Sequence, residues 1–249
     1  MPQQSFDYCA LHYLNQFIER DEPYGERLLH GTRYTRLVTL QDAATFYKVA
    51  RNLRTVSKLD KKHDRYLELR YGRLLDFIDR FSRDISKDKI VSHTIKFEKV
   101  LRRSIYKPNM GLLSLSTKML WQVTRSPSLI YDQNVCLSLD LGPAPLLQDF
   151  HDAWRARFSE NESEIIRACE RLPSNRRYAQ IPQPHYDDDD QPHALKKKDI
   201  RRIVNKPFFR ERVFDMYLWH KRSSLPTLTP GGAVIPSQDS PLSCLRIIG

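Results

Sequence analysis

The stretch SLSTKMLWQV, residues 114–123, lies between two interruptions of helical pattern and decides the fold prediction. Pro108 prevents the preceding helix from continuing, and Pro127 requires the stretch itself to end before it. Residues 107–111, with a proline, an asparagine and a glycine, have the composition of a turn. The sequence here predicts a helix, a short turn and a second helix.

Helical periodicity also dominates the sequence before this stretch. Residues 64–83 carry apolar side chains at helical spacing on one face and charged side chains on the other, which predicts a surface helix packed on a core. The apolar face consists of Leu67, Tyr71, Leu74, Leu75, Ile78 and Phe81. Residues 92–106 predict the first helix of the helix-turn-helix unit, with Ile95, Leu101 and Ile105 on its apolar side.

Three more helices are predicted after the unit. Apolar residues from Leu147 to Phe158 recur at helical spacing, and Ser159 with Glu162 forms a capping-box pattern that predicts the start of a separate helix. Residues 196–222 resume the helical pattern. We find no convincing strand pair, so the predicted fold class is mostly α.

The predicted organisation is one helical domain and a tail. The domain spans residues 1–222, with the helix-turn-helix unit, a helical hairpin, and the segment that follows it at about 92–137. Residues 173–194 contain four prolines and the acidic run from Asp187 to Asp190, which predicts an exposed, flexible loop. Residues 223–249 are rich in Pro, Ser, Thr and Gly and predict an irregular tail.

The charge of the chain favours a polyanionic partner. Its 249 residues include 41 Lys and Arg against 30 Asp and Glu, a net charge of +11. Residues 51–107 hold 17 basic against 8 acidic side chains, and residues 195–222 hold 10 against 3, so two basic regions could flank one groove. The alternative is that both regions are solvated helix faces without a partner.

Metal, membrane and secretion signals are absent from the sequence pattern. The cysteines Cys9, Cys136, Cys169 and Cys244 form no CxxC pair and are expected to be reduced, buried, intracellular thiols. The histidines show no paired ligand spacing, so we expect neither a metal nor another cofactor. Without a long apolar run or a secretory signal, we expect a monomeric, cytoplasmic protein that does not enter a membrane.

One lysine and one aspartate bracket the deciding stretch. Lys118 is expected in the first turn of its helix, where the positive end of the helix dipole favours a neutral amine, and a neutral lysine is a nucleophile. Asp132 follows a short apolar approach and either caps the next helix or faces a cleft. Taken alone, a solvent-exposed lysine and a helix N-cap are the commoner roles of these residue types.

These residues resemble a known family. Residues 114–120 follow the Gly-hydrophobic-Gly-Thr-Lys hairpin of the helix-hairpin-helix DNA glycosylases, with serine at both glycine positions, and residues 129–135 follow the family's apolar run, aspartate and valine. The likeness is closer to the bacterial branch similar to 8-oxoguanine glycosylases, whose closing helix resembles residues 214–219. The segment from lysine to aspartate is shorter than in that family, and no four-cysteine cluster follows.

The resemblance implies a helix-hairpin-helix fold and a set of functional residues. Lys118 falls on the Schiff-base lysine and Asp132 on the catalytic aspartate. Exposed backbone N–H groups at the start of the second helix are expected to hold a DNA phosphate. The predicted DNA-binding residues are Ser114, Ser116, Thr117, Arg102, Arg103 and Lys107, and the candidate base-pocket or wedge residues are Tyr106, Met110 and Tyr131. Packing in the core is the alternative for any one of these aromatic side chains.

The predicted function is that of a DNA N-glycosylase acting on double-stranded DNA with a modified base. The base would be flipped out and released to leave an abasic site, with or without lysine-dependent strand cleavage. The biological role would be base-excision repair or defence against phage DNA carrying modified bases. Two alternatives stay open: a non-catalytic helical DNA- or RNA-binding module, and an interaction subunit that recruits an acidic protein.

Overall fold

The computed structural model describes residues 5–53, 63–81, 86–105, 112–142, 144–174, 196–223, 227–228 and 234–235. Within these ranges the chain is mostly helical, which confirms the predicted fold class at that level. The α-helices are α1 (Phe6–Gln16), α2 (Glu22–His30), α3 (Arg33–Phe46), α4 (His63–Leu67), α5 (Arg73–Phe81), α6 (Ile90–Ile105), α7 (Leu113–Thr124), α8 (Gln133–Ser138), α9 (Leu147–Arg171), α10 (Lys197–Val204) and α11 (Pro207–Ser223).

The predicted surface helix at residues 64–83 is present with the expected buried face. A π-helical segment, Glu68–Gly72, joins α4 to α5 and keeps the helical path continuous. All six predicted apolar side chains are buried, from Leu67 at 5% exposed to Leu75 at 0%. On the outer face Glu68 and Asp76 both bind Arg33 of α3, so charged contacts fasten the rim of this packing.

Helices α6 and α7 form the two arms of the predicted hairpin and pack on each other. Both begin slightly earlier than the sequence pattern indicated, at Ile90 and Leu113. The predicted turn at residues 107–111 lies outside the described residues, as do the candidate residues Tyr106, Lys107 and Met110. Of the predicted hairpin, the described residues therefore comprise the two helices.

The predicted boundary at Ser159 was wrong. Helix α9 runs unbroken for 25 residues from Leu147 to Arg171, and Ser159 and Glu162 are exposed in its middle. No glycine or proline interrupts this part of the chain, so the i to i−4 hydrogen bonds continue through it. A capping-box pattern is local, and here the packing of one long helix overrides it.

Replacing Ser159 by alanine tests this correction. A serine that caps a helix costs about 1 kcal/mol to remove, whereas alanine in an exposed helix interior is favoured over serine by roughly 0.5 kcal/mol. We therefore expect Ser159→Ala to raise the free energy of unfolding slightly, as measured by urea denaturation. A loss of about 1 kcal/mol would instead indicate a helix start at this residue.

The C-terminal helical region is divided where a single helix was predicted. Helix α10 ends before Asn205, and Pro207 opens α11. A proline is favoured at the first position of a helix and disfavoured inside one, which explains the division. The tail is also more ordered than predicted at one place, because Thr227–Leu228 (β1) and Val234–Ile235 (β2) pair as short antiparallel strands. Of the predicted acidic loop at residues 173–194, residues 175–194 lie outside the described ranges.

Buried apolar side chains from Phe6 of α1 to Leu218 of α11 belong to one hydrophobic cluster. Trp121 and Trp154 fall on apolar helix faces of the sequence, which predicts core positions, and the structure confirms this with 1% and 0% exposure. Cys9, Cys136 and Cys169 are free and buried, and burial raises the pKa of each thiol, to about 12 for Cys9. In the described part of the chain no helix combines the length and apolar composition needed to cross a membrane.

Two buried histidines predict acid sensitivity. Burial lowers the pKa of His151 and of His220 to about 4. The unfolded chain takes up these protons near pH 6.5, so it binds more protons than the folded state between pH 6.5 and 4, and stability falls as the pH is lowered through that window. Each histidine lowers the free energy of unfolding by on the order of 3 kcal/mol between neutral pH and pH 4.

Thermal melts between pH 7.5 and 4 measure this effect. We expect His151→Gln and His220→Gln each to flatten the decline in melting temperature with falling pH, relative to the unmodified protein. His30→Gln, a substitution at an exposed histidine, is measured alongside as the matched control. If the melting temperature of all three variants falls with pH as steeply as that of the unmodified protein, the assignment of acid sensitivity to His151 and His220 is wrong.

Candidate functional site

The structure brings Lys118 and Asp132 together. The Nζ atom of Lys118, on α7, donates to Oδ2 of Asp132 at 3.0 Å and lies 3.4 Å from the main-chain oxygen of Tyr47 at the end of α3. The side chain of Lys118 is 11% exposed and that of Asp132 is 24% exposed. The pair therefore lies at the edge of the core, with the carboxylate as its more accessible member.

The position of Lys118 differs from the prediction. Helix α7 begins at Leu113, which places Lys118 in the second turn and not in the first. The helix dipole acts mainly on the first turn, so Asp132 is the dominant electrostatic partner of this lysine. The alternative of a solvent-exposed lysine was wrong, because the side chain is buried against α3 and the start of α8.

Asp132 uses both carboxylate oxygens. Oδ1 accepts a hydrogen bond from the backbone N–H of Asn134 at 3.0 Å, which makes Asp132 the N-cap of α8, while Oδ2 accepts from Lys118. One of the two alternatives for this residue, the helix cap, is thus confirmed, and the same carboxylate also has a cationic partner. A lysine acting as a nucleophile must first lose a proton, and this carboxylate is within proton-transfer distance.

Thr117 fixes the approach to Asp132. Its Oγ1 donates to the Leu113 carbonyl at 2.8 Å and accepts from the Tyr131 N–H at 3.0 Å, so it ties the segment before α8 to α7. Thr117 and Ser116 are 2% and 0% exposed. Both hydroxyl side chains face the core, whereas that of Ser114 is half-buried. The predicted DNA contact of these residues was through backbone N–H groups, and it stays a prediction.

Tyr131 is a packing residue in this structure. Its ring lies 5.2 Å from that of Phe150, and its hydroxyl donates to the Pro145 carbonyl at 3.4 Å. Burial raises the pKa of the Tyr131 phenol to about 12. These contacts favour the packing alternative for Tyr131, and its role as a base-pocket or wedge residue stays a prediction.

A carboxylate of the protein itself occupies the start of α7. Glu98 of α6 is 4% exposed, and its Oε1 accepts from the Leu112 N–H at 3.1 Å and from Arg102 at 2.5 Å and 3.0 Å. The predicted phosphate-binding amides therefore include one that already has an anionic partner. Arg102 and Arg103 are exposed on α6, as DNA-contacting residues must be.

Sequence reasoning missed Tyr47 and the buried groups behind it. The Tyr47 hydroxyl donates to Oδ1 of Asp21 at 2.7 Å, and Gln16 donates to the other oxygen of that carboxylate at 3.3 Å. Burial raises the pKa of Tyr47 far above the usual value for a phenol. Tyr47 lies 71 residues from Lys118 in the chain, and no local pattern signals this contact.

Comparison with family models, with curated proteins and with solved structures found no match. Within the described ranges, no group of three or more His, Cys, Asp or Glu side chains is arranged to hold a metal ion.

Proposed function

We propose that this protein is a DNA N-glycosylase that releases a modified base from double-stranded DNA. The observation that carries the proposal is the 3.0 Å contact between Lys118 and Asp132, two residues 14 positions apart in sequence that the resemblance pairs as nucleophile and carboxylate. Their position at the edge of the core leaves the carboxylate partly open to a ligand.

The pair has the charges that this reaction requires. Cleavage of an N-glycosidic bond places positive charge on the sugar, and a fixed carboxylate stabilises that charge. In the lysine-dependent route the Lys118 ammonium first gives a proton to Asp132, and the freed Nζ lone pair bonds to C1′ while the C1′–N bond electrons leave with the base. The departing base takes a proton from the new C1′–N ammonium. The C1′–O4′ bond then breaks, O4′ takes the proton held by Asp132, and a protonated imine results. In the simpler route water attacks C1′ and an abasic site results.

The charge of the chain supports DNA as the substrate. A net charge of +11 favours a phosphate backbone, and the exposed Arg103 lies on the helix that packs against α7. Lifting a base out of the stack costs a few kcal/mol, which contacts to phosphates help to offset.

The test is base release from duplexes that each carry one damaged or hypermodified base, read by mass spectrometry, with abasic sites read by alkaline strand cleavage. Borohydride trapping of the protein on DNA reports the imine route, and Lys118→Met should abolish trapping because the amine is missing. Methionine has similar length and suits the buried site, so thermal melts can verify that the variant folds. Absence of release from every duplex would overturn the proposal.

A non-catalytic DNA-binding module is the second candidate function. Two observations favour it: Asp132 already caps α8, and Lys118 is already paired and buried. This candidate predicts salt-dependent DNA binding that Lys118→Met leaves unchanged, with no base released. Binding and release measured on the same duplexes separate the two candidates.

A further inference from the structure

An exposed aromatic ring lies at the end of α3, next to the candidate site. Phe46 is 40% exposed, although Tyr24 and Tyr47 contact its ring edge-on, with ring centroids 6.4 Å and 5.1 Å away. The Arg20 guanidinium lies 5.9 Å from its centroid. Part of the ring is therefore packed against these side chains, and the rest is exposed to solvent.

The backbone that holds Phe46 is well defined by hydrogen bonds. The Tyr47 N–H donates to the Ala43 carbonyl at 2.9 Å, and the Val49 N–H donates to the Ala44 carbonyl at 2.8 Å. Between them Lys48 adopts φ 56°, the left-handed conformation that ends many helices. Arg70 donates to the Ala50 carbonyl at 3.0 Å and fastens the far side of this turn.

The same turn touches the catalytic candidate. Tyr47 follows Phe46 directly, and its carbonyl lies 3.4 Å from Nζ of Lys118. Consecutive Cα atoms are about 3.8 Å apart, so the backbone of Phe46 is adjacent to Tyr47, the residue whose carbonyl Lys118 contacts. The ring and the Lys118–Asp132 pair are therefore linked through one turn of the chain.

The charges around Phe46 suit a nucleic acid. Lys48 and Arg51 are exposed on the same turn, and Arg20 flanks the ring. The nearby acidic groups are Glu19, 3.3 Å from Arg20, and the exposed Asp42. An open aromatic face with neighbouring cations is the usual arrangement for stacking an unpaired base while holding its phosphates.

We propose that Phe46 stacks on an unpaired base of bound DNA, with Lys48 and Arg51 contacting the adjacent phosphates. The inference rests on the proposed function for its placement beside the reacting sugar, but the binding surface itself requires no catalysis.

The experiment measures binding to a duplex with one bulged 2-aminopurine, whose fluorescence reports stacking. We expect Phe46→Ala to weaken binding roughly 5- to 100-fold and Phe46→Trp to retain it, because stacking requires an aromatic ring. Tyr34→Ala is the control, since Tyr34 is 52% exposed at the other end of α3, about 18 Å away. Equal affinities for Phe46→Ala, Tyr34→Ala and the unmodified protein would overturn the inference.

The phosphate contacts have a separate readout. Lys48→Gln with Arg51→Gln should reduce the slope of log affinity against log salt by about 1 to 2, with the aminopurine signal of the bound state preserved. Base release on the same duplexes distinguishes the two proposals. If the unmodified protein releases a base and Phe46→Ala binds normally, only the stacking inference is overturned. If Phe46→Ala selectively weakens binding and no duplex releases a base, only the glycosylase proposal is overturned.

Discussion

Asp132→Asn is expected to reduce base release at least about 100-fold while the protein stays folded. Asparagine caps helices as well as aspartate does, so its side-chain oxygen can still accept the Asn134 N–H. The negative charge is lost, and with it the stabilisation of a cationic sugar, for which removal of one fixed group typically costs 10² to 10³ in rate. Single-turnover release measured by mass spectrometry provides the rate.

The structural cost of this change can be separated from the chemical one. Asp132→Asn leaves the Lys118 ammonium without its anionic partner, which we expect to lower the free energy of unfolding by about 1 to 2 kcal/mol. The double variant Lys118→Met with Asp132→Asn removes both charges and should recover part of that loss. Release by Asp132→Asn at the unmodified rate would show that the carboxylate serves only as a helix cap.

Arg212→Met is expected to be the most destabilising single substitution we consider. Arg212 is 8% exposed and donates to Oδ2 of Asp215 at 2.8 Å, while Trp154 donates to Oδ1 at 2.7 Å. Burial raises the pKa of Asp215, and the arginine opposes that effect. Without the arginine a buried carboxylate loses its cation, a change that costs about 3 to 5 kcal/mol.

Urea denaturation of three variants tests this prediction. Arg157→Met removes an exposed pair with Glu160 at 3.2 Å and should change the free energy of unfolding by less than about 1 kcal/mol. Arg212→Met with Asp215→Asn should be more stable than Arg212→Met alone, because no unpaired charge is left in the core. Similar losses for Arg157→Met and Arg212→Met would show that the buried pair has no special weight.

Local sequence pattern predicts some features of the fold and of the candidate site, whereas other features depend on tertiary packing. The apolar face of residues 64–83 and the core positions of Trp121 and Trp154 follow from helical periodicity, and the structure confirms them. The pairing of Lys118 with Asp132 was anticipated only through a family resemblance. Its geometry depends on Tyr47, whose contact with Lys118 spans 71 residues and leaves no trace in a local pattern.

The features that the sequence pattern did not predict have related physical causes. Ser159 with Glu162 matches a capping box, but a cap forms only where the backbone leaves the helix, and α9 does not. Pro207 did carry a usable signal, because a proline inside a helical pattern marks a boundary. The burial of Ser116 and Tyr131 and the role of Glu98 arise when separate helices meet, which a one-dimensional pattern does not specify.

The two separate hydrogen bonds of Asp132 allow it to exchange partners without turning. One oxygen is held by the backbone of α8, and the other faces the Lys118 ammonium. If an incoming cationic group replaces that ammonium, the helix cap still fixes the plane of the carboxylate. The orientation was set when the chain folded, so little reorganisation energy remains to be supplied when the new partner arrives.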